Sequence, residues 1–177
     1  MKRTICLIAL LAFALSGCSS AFSGSSDNVD FYYLRVCKTQ DDYQTYFSEG
    51  AFGTESRDMS GHLNDLEYLL TMYLQGPLDP QLRSPFPAGC SLIDVRMEGQ
   101  KLIVYLSSGA SLLDDLDLNV ACACLAQTCM ELANVNSVHI ESRSTSNTVL
   151  FSTTITADNL LLEVAPPAAT VPAEQTQ

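Results

Sequence analysis

The amino-acid sequence predicts an α+β fold: a compact βαββαβ-type domain with two helices packed on one face of a small sheet. Three observations predict it. Two short runs alternate apolar and polar side chains around a glycine, and two longer runs carry apolar residues at helical spacing. Aromatic and β-branched stretches stand at either end of the series, as strands require.

The elements follow in order. Residues 29–36 (VDFYYLRV) are aromatic and β-branched, a strand. Residues 43–58 read as one or two strands around Gly50 and Gly53. Residues 63–75 read as a helix, because Leu63, Leu66, Leu70, Tyr73 and Leu74 recur at helical spacing. Gly76-Pro77 then stops it, glycine by taking the left-handed cap and proline by forbidding another turn. The stretch 78–89 contains Pro80, Pro85 and Pro87 and is expected to be an extended, stiff linker.

An antiparallel hairpin comes next. Ile93, Val95 and Met97 share one face and Asp94, Arg96 and Glu98 the other; Leu102, Val104 and Leu106 alternate likewise beyond Gly99. Residues 107–115 are expected to be a loop and 117–133 a second helix, broken by Asn134-Val135-Asn136. Val138 and Ile140 begin another strand, and residues 148–156 (TVLFSTTIT) form one more. The pattern shows no internal repeat.

The N-terminus predicts export. Met1-Lys2-Arg3 is positive, and residues 5–15 form an apolar run of eleven, too short for a hydrocarbon core that needs roughly 20. Leu15-Ser16-Gly17-Cys18 then resembles the lipobox of bacterial lipoproteins. In such a signal the thiol of Cys18 is alkylated by a diacylglyceryl group, and a peptidase that needs small residues at Ser16 and Gly17 cuts before it. The expected organisation is therefore a signal peptide over 1–17 and a lipidated Cys18 with a flexible Ser/Gly-rich tether over 18–28. A single αβ domain over 29–164 and a disordered Pro/Ala/Thr-rich tail over 165–177 complete it. Ten tether residues span roughly 17 Å, which holds the domain close to the membrane. No second apolar run follows the signal, so no membrane-spanning helix is expected.

Removing seventeen residues from 177 leaves 160, enough for one domain with a real core. Lys2 and Arg3 leave with the signal, so 7 basic residues face 20 acidic ones, a net −13. Such a surface repels nucleic acid and anionic lipid, whose binding requires neutralised phosphates. No nucleic-acid partner is expected, and membrane contact falls to the anchor on Cys18.

Five cysteines remain after Cys6 and Cys18: Cys37, Cys90, Cys122, Cys124 and Cys129, an odd number that argues against a full disulfide framework. Cys122, Cys124 and Cys129 look like a metal cluster, but on one helix Cys122 and Cys129 lie about 10.5 Å apart along the axis and Cys124 points about 160° away from Cys122. Zinc needs all its thiolates at about 2.3 Å from one centre. A disulfide needs Cα atoms within about 7 Å. These thiols are expected to be core packing, flanked by Leu118, Leu125 and Leu132, and no metal or cofactor is expected. A thiol nucleophile would need His62 or His139 as its base. His62 sits just before a helix and His139 alternates with Val138 and Ile140, so no catalytic residue is assigned and the chain is not expected to be an enzyme. Asp114, Asp115 and Asp117 lack the alternating oxygens and turn glycine of a calcium loop, and read as a solvated turn in which Asp115 or Asp117 caps the second helix.

The stretch 66–141 resembles the GerMN domain, named for a bacterial spore-germination protein, with a core over about 62–142. The matching pieces are Tyr73-Leu74-Gln75-Gly76-Pro77, then Ser84-Pro85-Phe86-Pro87-Ala88-Gly89, then the hairpin strands Leu92-Ile93-Asp94-Val95-Arg96 and Leu102-Ile103-Val104-Tyr105-Leu106-Ser107, and after a helix Val135-Asn136-Ser137-Val138-His139-Ile140. Leu106 stands where the family usually has Asp, and the domain occurs once. The resemblance implies a fold similar to the ring-building modules of the sporulation channel. It also implies a lipid-anchored protein on the extracytoplasmic face of the cell membrane, a non-catalytic scaffold of spore formation, germination or another envelope assembly, with protein partners in the cell or spore envelope. The alternative is a lipid-anchored binding module for a small ligand or wall polymer, auxiliary to a sensor or transporter. The expected partner surface is the solvent side of the hairpin, where Ile103 and Tyr105 add two large apolar side chains to Asp94, Arg96, Glu98 and Lys101.

Overall fold

A computed structural model describes residues 27–39, 41 and 50–160 of the chain. The predicted signal, Cys18, most of the tether and the tail 165–177 lie outside the described residues.

The α+β class holds, and the strands divide between two sheets. Strand β1 (Asn28–Arg35) is the centre of the first, flanked by β2 (Phe52–Asp58) and by the two-residue β3 (Leu82–Arg83), in the order β2-β1-β3. The second sheet is β4 (Leu92–Glu98), β5 (Lys101–Ser107), β6 (Ser137–Arg143) and β7 (Val149–Thr156), side by side in that order. β5 and β6 run parallel, and the other neighbours in this sheet are antiparallel. A parallel pair cannot be joined by a tight turn. The crossover is a 3₁₀ turn (Ser108–Leu112) followed by helix α2 (Asp115–Ala133).

Helix α1 (Leu66–Leu74) starts three residues later than its apolar spacing suggests. Asp65 accepts a hydrogen bond from the Tyr68 N–H, which fixes the start and leaves Leu63 exposed. Its buried side chains are Leu69, Leu70 and Tyr73. Tyr73 stacks on Tyr33 of β1 with ring centroids 5.0 Å apart and meets Phe31 at 6.0 Å, which ties α1 to the first sheet. Each fully buried aromatic or leucine here contributes about 1.5–3 kcal/mol of apolar burial. In α2 the cap is Asp114, one residue before the predicted pair Asp115 and Asp117: its carboxylate accepts from the Asp117 N–H at 2.9 Å. Asn134 ends the helix in the left-handed conformation, φ +50°.

Helix α2 has protein on both sides, against the expectation of helices on one face of one sheet. It touches β6 and β7 of the second sheet and β1 of the first. Ala121, Cys122, Ala123, Cys124, Leu125, Ala126, Thr128 and Cys129 are all buried, so nearly the whole circumference is covered. Small side chains let both layers approach. Beyond its two rungs with β3, the open edge of β1 is met by this helix: the Tyr32 N–H donates to Thr128 Oγ1 at 3.0 Å, and the Tyr32 hydroxyl reaches Glu131 at 2.5 Å. A buried threonine hydroxyl thus satisfies a backbone donor that no strand reaches.

The hairpin differs from simple alternation. The register shifts between Leu92 and Asp94, so Leu92 packs on the core and Ile93 is exposed. Such a bulge re-aims every side chain before it. Met97 is exposed as well, leaving Leu92 and Val95 as the β4 side chains that join the core.

Candidate functional site

The outer face of the four-stranded sheet collects the charged residues that the strand register aligns. Three rungs cross it. Arg96, Ile103, His139 and Thr154 stand abreast; Asp94, Tyr105, Glu141 and Ser152 form the next; Glu98, Lys101, Ser137 and Thr156 form the third. The core side of the same strands carries Leu102, Val104, Leu106, Val138 and Ile140, each fully buried.

The outer side chains pair across the rungs. The guanidinium of Arg143 lies 4.1 Å from the Tyr105 ring centroid and that of Arg96 lies 5.5 Å away, so the phenol stands between two cations. Arg143 is held by Glu141 and donates to Asn147 Oδ1 at 3.1 Å. Glu141 also faces His139 Nε2 at 3.6 Å, while His139 Nδ1 bonds Thr154 Oγ1 at 2.9 Å. Arg96 donates to Asp94 at 2.6 Å, and Lys101 pairs with Glu98 at 3.3 Å. Three basic residues here meet three acidic ones, on a chain of net charge −11. The face is neutral where the molecule is acidic.

The two predicted contact residues fare differently. Ile103 is only 6% exposed, shut in by its neighbours on the rung, Arg96 and His139. Neither β1 nor β7 lies over it, since β1 belongs to the other sheet and β7 continues this one. Tyr105 is half-buried, with the two arginines against its ring. Sequence alternation placed both, and His139 as well, away from the core but missed Arg143, Glu141 and Thr154 as members of the same face. The spacing of Ser137, His139, Glu141 and Arg143 carries that signal, once the parallel register with β5 is known.

The cysteines lie elsewhere, in the core. Cys90, Cys122, Cys124 and Cys129 are buried, Cys37 is partly exposed, and all five are free thiols. Among the described residues no group of three or more His, Cys, Asp or Glu could hold a metal ion. Burial pushes the thiol of Cys90 up to about 11 and those of Cys122 and Cys124 up to about 12, and raises that of Cys129 as well. Alkylation needs the thiolate, which at pH 8 is on the order of one part in a thousand for a thiol of pKa 11. Iodoacetamide at pH 8 is therefore expected to label Cys37 alone in the native protein and all five thiols after denaturation. Mass spectrometry of the labelled peptides reads this directly, and rapid native labelling of Cys122 or Cys129 contradicts the packing described above.

A family model described as Germane, sporulation and spore germination, matches residues 32–145, from the middle of β1 to the turn after β6. The chain belongs to the Germane family. The match takes in the hairpin, α2 and β6, so three of the four strands that build the outer face lie within it; β7 lies beyond it. A crystal structure of a candidate lipoprotein from Clostridium perfringens is similar over 78% of this chain and 93% of that one, at 14% identity and a TM-score of 0.45. No curated protein matches the chain. Among the described residues, no helix of this Germane protein is long and apolar enough to cross a membrane.

Proposed function

We propose that this Germane protein is a lipid-anchored, extracytoplasmic lipoprotein whose domain acts as a non-catalytic scaffold in spore formation, germination or a related envelope assembly. The observation that carries the scaffold role is the neutral, cross-paired outer face of the four-stranded sheet on an otherwise acidic chain. A contact face benefits from charges already paired within it, because a partner then meets no net repulsion. Tyr105 between Arg96 and Arg143 is the residue type and setting that dominate interface energetics. The anchor is Cys18, whose diacylglyceryl chains each contribute ~0.8 kcal/mol per buried CH₂ and together give stable attachment.

The test uses intact sporulating cells of the native host. Cys18→Ser is expected to leave an uncleaved precursor without glyceride label, and a processed, membrane-bound Cys18→Ser protein overturns the anchor. Arg96→Ala with Tyr105→Ala, which spares buried Ile103, is expected to keep the fold and lose crosslinked protein partners about tenfold. Unchanged crosslinking by that folded variant removes this face from the scaffold.

A further inference from the structure

Strand β7 closes the four-stranded sheet at one side, and among the described residues nothing pairs with its outer edge. Protected sheets blunt such an edge with charge, proline, a bulge or a covering element. The other long edges here carry exposed charge: β2 ends on Asp58, and β4 carries Asp94, Arg96, Glu98 and a bulge. β7 does not. Residues 144–157 contain no charged side chain and no proline, a run of fourteen in a chain of net charge −11. Val149 and Leu150 at the start of the strand are 51% and 45% exposed. The irregularity between Ser142 and Arg143 affects only that first end and leaves the rungs from Phe151 to Thr156 regular.

We propose that β7 is a self-association edge, on which a second copy of this chain adds its own β7 antiparallel and joins two four-stranded sheets into one of eight. The occupant is a second copy for two reasons. An antiparallel strand paired with itself is complementary by symmetry, about a dyad perpendicular to the sheet. Two chains of this acidity also repel each other where their unpaired carboxylates meet, and the charge-free run coincides with the free edge. The same dyad sets both helix layers on one side of the joined sheet. There a groove of about 410 Å³ runs between α2 and β7, lined by Leu116, Val120, Ile155 and Leu160, with Leu116 73% exposed at its rim. Pairing of the edges brings the two grooves across the dyad from one another, so that apolar surface is covered along with the strand edge.

The experiment is the oligomeric state of the full chain in a mild detergent, by sedimentation over a range of concentrations. Wild type is expected to show a reversible dimer. Ser152 is exposed at the middle of β7, with its side chain on the outer face. Ser152→Lys is expected to weaken the dimer about tenfold, since like charges oppose each other across paired strands. Mixing Ser152→Lys with Ser152→Glu is expected to restore association as a heterodimer, a rescue that a folding defect cannot imitate. A wild type that stays monomeric at the highest concentration overturns the proposal. So does a dimer that Ser152→Lys leaves unchanged, and so does a dimer that appears only after removal of residues 161–177, which assigns the edge to the chain's own C-terminal segment.

Discussion

Replacing Arg57 with methionine is expected to cost the domain about 3–5 kcal/mol, the largest loss of any single change to a polar side chain here. Arg57 is 8% exposed. Its guanidinium pairs with Glu55, donates to the Gly76 carbonyl at 2.7 Å and the Met72 carbonyl at 3.4 Å, and lies 5.2 Å and 5.7 Å from the Phe31 and Tyr33 ring centroids. It therefore closes the C-terminal end of α1, where helix carbonyls lack partners, onto β2. Glu55 in turn accepts from the N–H groups of Leu78 and Asp79 at 2.8 and 2.7 Å, which holds the turn after the helix. Methionine keeps most of the bulk and removes the charge, so Glu55 is left largely buried without its cation. Urea unfolding at pH 7 measures the loss as a shift in midpoint.

The pH dependence of that difference follows. Burial works to raise the Glu55 carboxyl, but the Asp79 N–H, Arg57 and the Leu78 N–H outweigh it and hold it below its usual range. A depressed carboxylate stabilises the fold above its unfolded pKa and ceases to do so as pH falls through the folded value. Without Arg57 that stabilisation is reduced, so the gap between wild type and Arg57→Met is expected to narrow in acid below about pH 4. A gap that stays constant down to that range shows that the packing of the side chain, not its charge, matters.

The second large effect is expected from Cys124→Leu, at about 1–3 kcal/mol of destabilisation. Were α2 covered on one face only, a leucine opposite Cys122 would stand in solvent and cost little. Cys124 is instead fully buried, with Cys122 and Cys129 also buried on the same helix. There is no room for the extra bulk unless β1 or the second sheet moves. Thermal unfolding of the purified domain measures the loss. A neutral result shows that the layer on that side yields.

These two sites mark where the sequence was legible and where it was not. The strands β4 to β6 and both helices follow from local periodicity, which depends only on residues a few positions apart. The outward side of Tyr105 follows from the same alternation. The division into two sheets does not, because β1 meets β3 through two residues, Leu82 and Arg83, inside a proline-rich stretch that reads as linker. The double burial of α2 was hidden by its small residues: Ala and Cys pattern weakly, and the leucine side alone looked like the core. The bulge at Leu92/Asp94 left no mark in the alternation, so Ile93 seemed as buried as Val95. Ile103 was placed on the correct side, yet its cover comes from Arg96 and His139, and only the register with two other strands reveals that. For the outer face as a whole, the missing information was the parallel pairing of β5 with β6.

The hydrogen bond from Tyr32 to Thr128 has a consequence in time. Its two ends are 96 residues apart in the chain. Whichever end of the chain reaches the folding compartment first, Tyr32 must wait for the whole intervening stretch before Thr128 is at hand. Hairpins close in about 1–10 μs, so the pairing of β1 with β2 can be long complete while its other edge still waits for α2. Over that interval the chain presents the open edge of β1, which carries Phe31, Tyr32 and Tyr33, to whatever surrounds it. The earliest strand to be synthesised is thus among the last to be closed, and the yield of folded protein depends on what occupies that edge before Thr128 arrives.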